Sequence, residues 1–217
     1  MSLILHAYWR STTSYRTRIG LNLKGVAYET VPVDLRGGGQ DAPDYRALNP
    51  QGLVPALEAD DVILTQSPAI LEWLEERYPE PALLPSRLAD RAVVRAMAAL
   101  VACDIHPINN MRVLKALRTE FKADAAAETA WIDRWITSGF AALEVLVKRH
   151  GRGFAFGDHP TLADCHLVPQ VYSAERYGVD LSPFPAIRGV ASAMNALPAV
   201  VDAHPDNQPD ADPRPAP

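Results

Sequence analysis

Short apolar runs of strand length occur near the start of the chain, and helical spacing dominates the rest. The runs at 3–8 and 28–33 predict two strands. The stretch 13–23 between them predicts a helix, which ends at Lys24-Gly25 in the way that helices commonly end. A strand, a helix and a strand in this order predict a right-handed parallel crossover.

A second pair of apolar runs, 53–57 and 62–65, flanks Asp60-Asp61 and predicts a β-hairpin. Ser67 and Pro68 then predict a helix start, because a serine hydroxyl can cap the first amides and proline suits the first helical position. The predicted helix continues to Tyr78. The order βαβ followed by ββα predicts a thioredoxin-like α/β domain.

No strand pattern follows the proline-rich segment 79–85. Helical spacing over 87–118, interrupted at His106-Pro107, and over 131–147 predicts an antiparallel helix pair. Thr161 and Asp164 form a capping box, and a last helix is predicted over 184–197. We therefore predict a thioredoxin-like domain over 1–81, a linker that ends at 82–85, an all-α domain over 86–201 and a disordered tail over 202–217.

Composition narrows the function classes. The chain has 217 residues, 48% hydrophobic residues and a formal net charge of −5, with no basic block, which argues against a nucleic-acid partner. No apolar run is long enough for a membrane span and the N-terminus has no signal-peptide pattern, so a cytoplasmic location is predicted. Cys103 and Cys165 are far apart, which predicts reduced core residues and neither a redox dithiol nor a metal site.

Two local patterns could carry chemistry. Residues 11–14, Ser-Thr-Thr-Ser, lie between the first strand and the first helix, where hydroxyls and free amides can stabilise a thiolate or merely cap the helix. Pro55 fits either a strand edge or a cis bond. In the cis interpretation, an exposed backbone edge beside the helix start at Ser67 would bind a small peptide that carries a carboxylate.

Cationic residues indicate a substrate class. Arg10 precedes the hydroxyl run, and arginine binds carboxylates through two parallel donors, so Arg10 with Arg112 and Arg176 would suit a dicarboxylic acid. Arg16 and Arg18 are interpreted as helix-surface or structural residues. His106 and Asn110, at the helix break, could contact a ligand or satisfy the carbonyls that Pro107 leaves free.

The pattern Pro50-Gln51-x-x-Val54-Pro55-Ala56-Leu57, followed by Gln66-Ser67, resembles the glutathione-binding half of the glutathione transferase superfamily. The run 9–21 resembles the zeta class of that superfamily, although the usual Ser-Ser-Cys is Ser11-Thr12-Thr13 here. The resemblance extends from about residue 3 to about residue 200. It implies a glutathione transferase fold and a homodimer.

The resemblance also implies the site residues. Ser11 is the first choice for stabilising the thiolate of glutathione, with Thr12, Thr13 and Arg10 as further catalytic residues. Without the cysteine, this stretch contains no protein nucleophile, so the sulfur chemistry belongs to glutathione, a coenzyme that is not consumed. The residues implied to bind glutathione are Gln51, Val54, Pro55, Gln66, Ser67, Asp104, His106 and Asn110. Arg10, Arg112 and Arg176 are implied to bind the substrate.

The implied reaction is a cis–trans isomerisation by reversible thiolate addition to a maleyl double bond. The chain resembles the bacterial maleylpyruvate isomerases in lacking this cysteine and in its segments 12–14 and 106–110. This resemblance implies conversion of maleylpyruvate to fumarylpyruvate in the gentisate branch of aromatic-acid catabolism. Maleylacetoacetate isomerisation is the first alternative. A conjugating transferase or dehalogenase is the second, and a non-catalytic interaction module is the third.

Overall fold

The computed structural model of the protein describes residues 3–212, which form two compact units. One unit runs to Ala82 and takes up the C-terminal segment from Ala196. The other unit spans Leu83–Asn195. The chain therefore returns to its first unit after the second is complete.

The first unit contains a mixed four-stranded sheet in the order β2-β1-β3-β4. Its strands are β1 (Leu3–Ala7), β2 (Tyr28–Pro32), β3 (Ala56–Ala59) and β4 (Val62–Thr65). β1 and β2 are parallel, and α1 (Thr12–Leu23) connects them, which confirms that the crossover is parallel. β3 and β4 are antiparallel with Ala59 opposite Val62, so Asp60 and Asp61 form the predicted turn.

Two more helices belong to this part of the chain: α2 (Pro43–Leu48), which the sequence did not predict, and α3 (Ser67–Arg77). α1 and α3 pack closely at Gly20, where an added Cβ would lie 2.2 Å from Cδ2 of Leu71. A side chain at position 20 would therefore force the buried Leu71 side chain to shift. The thioredoxin-like order βαβ-ββα is confirmed.

The second unit is helical. Its helices are α4 (Leu88–Ala99), α5 (Met111–Thr119), α6 (Ala125–His150), α7 (Leu162–Arg176) and α8 (Pro185–Asn195). The predicted interruption lies between α4 and α5 as a π-helical segment, Leu100–Ile105, and a 3₁₀ turn, Pro107–Asn109. α6 packs against this segment, and an added Cβ at Gly139 would lie 2.3 Å from the Ile105 side chain. α6 begins earlier than predicted because Asp124 caps it, accepting the Ala127 N–H at 2.8 Å.

The capping box at the start of α7 is confirmed. The Asp164 carboxylate accepts the N–H of Ala155 at 2.7 Å and both the N–H and the hydroxyl of Thr161 at 2.8 Å. Burial raises the pKa of Asp164 to about 6, although these hydrogen bonds act in the opposite direction. Asp164 therefore joins the loop before α7 to the helix itself.

The segment after α8 corrects the predicted tail. It forms α9 (Pro198–Ala203) and a 3₁₀ turn, Pro205–Asn207. α9 packs against α1, and the buried Arg18 guanidinium donates to the carbonyl oxygen of Ala203 at 2.9 Å. The predicted disorder is therefore wrong for residues 202–212, because contacts with the rest of the first unit compensate for their polar composition. Residues 213–217 of the predicted tail lie outside the described residues.

Within residues 3–212, no helix combines the length and apolar character needed to cross a bilayer.

The Glu144 carboxylate joins α6 to the start of α8. This group, buried in α6, accepts the N–H groups of Ala186 and Ile187 at 3.0 Å, at the start of α8. Burial raises the pKa of Glu144, but these two hydrogen bonds and the neighbouring Lys148 outweigh it and leave the pKa below its ordinary value of 4.5. The stabilisation is therefore present above that value and is lost as the pH falls through the folded-state pKa.

We expect Glu144→Gln to lower the free energy of unfolding at neutral pH by about 1–2 kcal/mol. The difference from the wild type should shrink as the pH falls below about 4.5, since the unfolded chain then binds a proton at Glu144 while the folded protein still resists it, until the pH falls through the folded-state pKa. Urea unfolding at several pH values measures this. Glu120→Gln is the control, because Glu120 is exposed. A difference that grows toward acid pH would contradict the assignment.

Candidate functional site

A chain of hydroxyl groups starts at the N-terminus of α1. Ser11 is the N-cap residue, and its Oγ accepts the Ser14 N–H at 3.3 Å. The Oγ atoms of Ser11 and Thr13 lie 2.8 Å apart, and Thr13 donates to the carbonyl oxygen of Val54 at 2.9 Å. Because a hydroxyl has a single hydrogen, Thr13 has none left for Ser11, and Ser11 is the donor of the pair.

This order of donors separates the roles of the two hydroxyls. Thr13 ties α1 to the segment before β3, since its hydrogen is held by a backbone carbonyl. The Ser11 hydrogen is held only by another hydroxyl, and Ser11 is half-buried. Ser11 can therefore redirect its hydrogen to an anion by rotating about one bond.

The Val54-Pro55 bond is cis, which is one of the two interpretations that the sequence allowed. Val54 and Pro55 are buried, and the carbonyl of Leu53 is held by the Tyr45 hydroxyl and the Asn49 amide, both at 2.6 Å. Among residues 3–212, the Val54 N–H makes no hydrogen bond within the protein. The carbonyls of Leu53 and Val54 thus fix this segment, and the Val54 N–H can donate a hydrogen bond to a ligand.

Ser67 departs from the predicted role of a cap. It is the first residue of α3, the N-cap is Gln66, and no side chain caps the helix. The Ser67 hydroxyl instead accepts a hydrogen bond from Nη1 of Arg16 at 3.1 Å. The exposed amide of Gln66 donates to the Gln51 side chain, so these two glutamines lie together beside the helix start.

Arg16 gives this end of α3 its charge. The side chain is 1% exposed, and its guanidinium lies behind the hydroxyl of Ser67. The N-terminus of a helix carries a partial positive charge and unpaired amides, and a buried cation adds to it. The start of α3 is therefore electropositive and suits a carboxylate.

Arg16 is the residue that the sequence interpretation did not place in the site. Its burial could have been inferred from α1 itself, whose twelve residues carry charge only at Arg16 and Arg18. A helix with so few charged residues has little surface for solvent, so its arginines must lie against the protein. Arg18 is structural, as one of the two interpretations held.

Arg10 and Thr12 lie next to Ser11. Arg10 is half-buried, and its guanidinium stacks 5.2 Å from the centre of the Trp9 ring. Thr12 is the first residue of α1 and is 7% exposed. Arg10 can thus present donors close to the hydroxyl chain.

The other predicted site residues belong to the helical unit. Asp104 is exposed in the π-helical segment, and His106 is half-buried at its end. The Asn110 side chain caps α5 by accepting the Arg112 N–H at 3.1 Å. Asn109, not Asn110, donates to the carbonyl of Ile105, at 3.2 Å. The side chains of Asn109 and Asn110 thus both bond to backbone groups near the break, while a ligand contact of His106 or Asn110 stays a prediction.

Arg112 and Arg176 are exposed. Arg112 is the second residue of α5, and Arg176 is the last residue of α7, where its guanidinium stacks 4.7 Å from the centre of the Tyr177 ring. Both guanidinium groups are available to an anionic ligand.

The cysteine prediction needs one correction. Cys165 is buried, but Cys103 is exposed, because it lies on the outer side of the π-helical segment. Both are free thiols. In the described part of the chain, no three His, Cys, Asp or Glu side chains are grouped so that they could hold a metal ion.

Comparison with known proteins places this architecture in a family. Residues 10–77 match the glutathione S-transferase N-terminal domain, and residues 129–198 match the glutathione S-transferase C-terminal domain. The chain belongs to the glutathione S-transferase family.

Its relatives narrow the class. The chain is 55% identical to a maleylpyruvate isomerase of a Ralstonia species, over 95% of this chain and 98% of the relative. A holo maleylpyruvate isomerase structure, described as a bacterial glutathione S-transferase of the zeta class, has a TM-score of 0.94 at 53% identity over 98% and 100% of the two chains. A maleylacetoacetate isomerase structure from Anaeromyxobacter dehalogenans with bound glutathione has a TM-score of 0.89 at 48% identity, over 97% and 98%. The resemblance to the zeta class is confirmed.

Proposed function

We propose that this protein is a glutathione-dependent cis–trans isomerase of maleyl-type dicarboxylic acids, with maleylpyruvate as its substrate. The observation that carries the proposal is the hydroxyl chain Ser11–Thr13–Val54, which leaves Ser11 able to donate to an anion beside an unpaired backbone amide. Relatives that carry the names of such isomerases support it over nearly the full length of the chain.

The residues of the first unit fit glutathione. The start of α3, with Ser67 in front of the buried Arg16, suits the γ-glutamyl carboxylate. The free N–H of Val54, beside cis-Pro55, suits pairing with the cysteinyl backbone. Gln51 and Gln66 supply amides on the same side. Bound glutathione supplies a thiolate that adds reversibly to the alkene of the substrate.

Ser11 and Thr13 have different roles at the sulfur of glutathione. Ser11 donates its hydrogen bond to the thiolate, which favours the anion over the thiol. Thr13 occupies the position where the zeta pattern has a cysteine, and it fixes Ser11 relative to Val54. This segment offers no sulfur of its own, so the nucleophile comes from the coenzyme.

Arginines are proposed to bind the carboxylates of the substrate. Arg10 is positioned beside Ser11, and Arg112 and Arg176 have exposed guanidinium groups. Charge-assisted pairs between arginine and carboxylate hold the acid and stabilise charge that develops on it. His106, Asn110 and Asp104 are proposed as further contacts to glutathione.

The choice between the two maleyl acids is tested by assay. Purified protein is given maleylpyruvate or maleylacetoacetate, each with and without glutathione, and formation of the trans acid is followed. We expect turnover only with glutathione and a higher kcat/KM for maleylpyruvate. A higher value for maleylacetoacetate would favour the first alternative. Turnover of neither acid, or full turnover without glutathione, would contradict the isomerase proposal.

We expect Ser67→Ala to weaken glutathione binding by about tenfold, the effect of losing one hydrogen bond to a charged group. Isothermal titration calorimetry measures this. Ser138→Ala is the matched control, because Ser138 is exposed on α6 of the other unit. Unchanged affinity in Ser67→Ala would remove Ser67 from the binding site.

A conjugating transferase or dehalogenase remains the alternative reaction class. It would need an apolar substrate site more than paired arginines. Conjugation of an aryl halide or haloacid that is unaffected by Arg10→Ala and Arg176→Ala, together with no isomerase activity, would favour it.

We also propose a homodimer in the cytoplasm. The edge strand β4 exposes Val62 and Ile63, at 45% and 40%, which is the kind of surface that a second subunit covers. Two free thiols suit a reducing compartment. Sedimentation and cell fractionation test the two parts separately.

A further inference from the structure

We propose that the C-terminal strap, defined as residues 208–212, holds the loop Trp9-Arg10-Ser11 in its active conformation, with Asp210 as a positioning residue. The proposal rests on the proposed function for its catalytic consequence, but the contacts that carry it are independent of any ligand. They lie entirely within the first unit.

Asp210 contacts the turn that precedes Ser11. Its Oδ2 accepts the backbone N–H of Trp9 at 3.1 Å, although the two residues are 201 positions apart in sequence. Ser11 follows Trp9 by two residues, and its own N–H donates to the carbonyl of Tyr8 at 3.0 Å. Asp210 therefore binds inside the turn that presents Ser11.

The peptide groups of Trp9 are held on both sides. Its carbonyl oxygen accepts a hydrogen bond from Nη2 of Arg18 at 2.9 Å, and Arg18 is fully buried. Nε of the same guanidinium donates to the carbonyl of Ala203 in α9. The C-terminal segment thus contacts Trp9 in two ways. Ala203, before the strap, is linked to Trp9 through Arg18, and Asp210, within the strap, binds the Trp9 N–H directly.

Ala211 adds an apolar contact to the same place. It packs against a small buried cluster formed by Tyr8, Trp9, Val33, Tyr45 and Val54. Tyr8 and Trp9 precede Ser11, and Val54 carries the carbonyl that accepts from Thr13. The strap therefore supports both ends of the hydroxyl chain.

Asp212 provides a second polar tether. Its Oδ2 lies 2.9 Å from Nη1 of Arg36, and the two side chains are 21% and 23% exposed. Partial burial makes this ion pair stronger than a pair on the open surface. It fixes the end of the strap after Asp210.

The consequence for catalysis follows from geometry. A hydroxyl stabilises a thiolate only when its donor direction and distance are held, and Ser11 is held by the backbone of its turn. Without the Asp210 contact, the buried Trp9 N–H has lost its acceptor, and the turn gains other conformations. The thiolate would then receive a poorer hydrogen bond.

The test compares Asp210→Ala, Asp210→Asn and Asp206→Ala in the full-length protein. Asparagine retains an oxygen that can accept from Trp9, so it should restore what alanine loses. Asp206 is the matched control, because it lies just before the strap with a side chain that is 71% exposed. Two measurements are made: amide hydrogen exchange of residues 9–13 without ligand, and glutathione affinity with the pKa of the bound thiol, read from thiolate absorbance.

We expect faster exchange at residues 9–13, roughly tenfold weaker glutathione binding and a raised thiol pKa in Asp210→Ala only. A structural effect alone would lower thermal stability without moving the thiol pKa. Wild-type exchange and thiol pKa in Asp210→Ala, or the same changes in Asp206→Ala, would overturn the proposal. If the wild type binds no glutathione, the proposed function fails, and the exchange experiment alone decides whether the strap holds the loop.

Discussion

Ser11→Ala is expected to lower kcat/KM for the maleyl substrate by about 100-fold, the effect of removing one donor to an anion in an active site. The Ser11 hydrogen is the one in the hydroxyl chain that a backbone carbonyl does not hold. Its loss should raise the pKa of the bound thiol, so part of the activity should return at alkaline pH. The pH profile of kcat/KM and the absorbance of the bound thiolate measure both effects.

Three variants separate this role from the folding role of Ser11 as the cap of α1. Ser11→Thr retains both the hydroxyl and the cap, so it should keep most of the activity. Thr13→Val removes the acceptor of Ser11 and the bond to Val54, and should give a smaller loss than Ser11→Ala. Thr13→Ser should restore it. An Ser11→Ala enzyme with an unchanged thiol pKa, or a larger loss in Thr13→Val, would assign the thiolate contact to another residue.

The different roles of the Ser11 and Thr13 hydroxyls could not be predicted from the sequence. The run Ser11–Ser14 placed four hydroxyls at a helix start, but the donor order depends on the Val54 carbonyl, which is 41 residues from Thr13. Only the fold brings these groups together. The same holds for Arg16, whose partner Ser67 is 51 residues away.

Elements with local signals were predicted well, and short ones were missed. The hairpin has a turn between two apolar runs, and the capping box lies within four residues, so both could be found. α2 and α9 have six residues each, which is less than two helical turns, so no period is visible. Each does begin with a proline, Pro43 and Pro198, at a position typical of a helix start.

The tail shows the limit of composition as a guide. Its Pro, Asp and Ala residues predict disorder when each is considered alone. Asp210 and Asp212 are nevertheless bound, because Trp9 and Arg36 of the first unit supply a donor and a charge. The composition of the tail gives no information about Trp9 and Arg36, because these partners are far away in sequence.

The largest expected effect on stability is that of Asp164→Ala, about 3–5 kcal/mol, because two buried N–H groups and one buried hydroxyl lose their acceptor. For a protein of this size, the midpoint of thermal unfolding should fall by about 10 °C. Chemical denaturation at pH 7.5 measures the free energy. Asp158→Ala is the control, because Asp158 is an exposed aspartate in the loop before α7. A loss below about 1 kcal/mol would mean that α7 does not depend on its cap.

The pH dependence of Asp164→Asn tests the charge separately from the hydrogen bonds. Burial raises the folded-state pKa of Asp164 from 3.8 to about 6, so between these values the folded protein takes up a proton that the unfolded chain does not. The wild type therefore gains stability from this group as the pH falls through 6, and asparagine, which does not titrate, gains none. The difference in unfolding free energy between wild type and Asp164→Asn should be larger at pH 5 than at pH 8, by about 1 kcal/mol. A difference that is larger at pH 8 would show that the hydrogen bonds outweigh burial and that the carboxylate is stabilised as the anion.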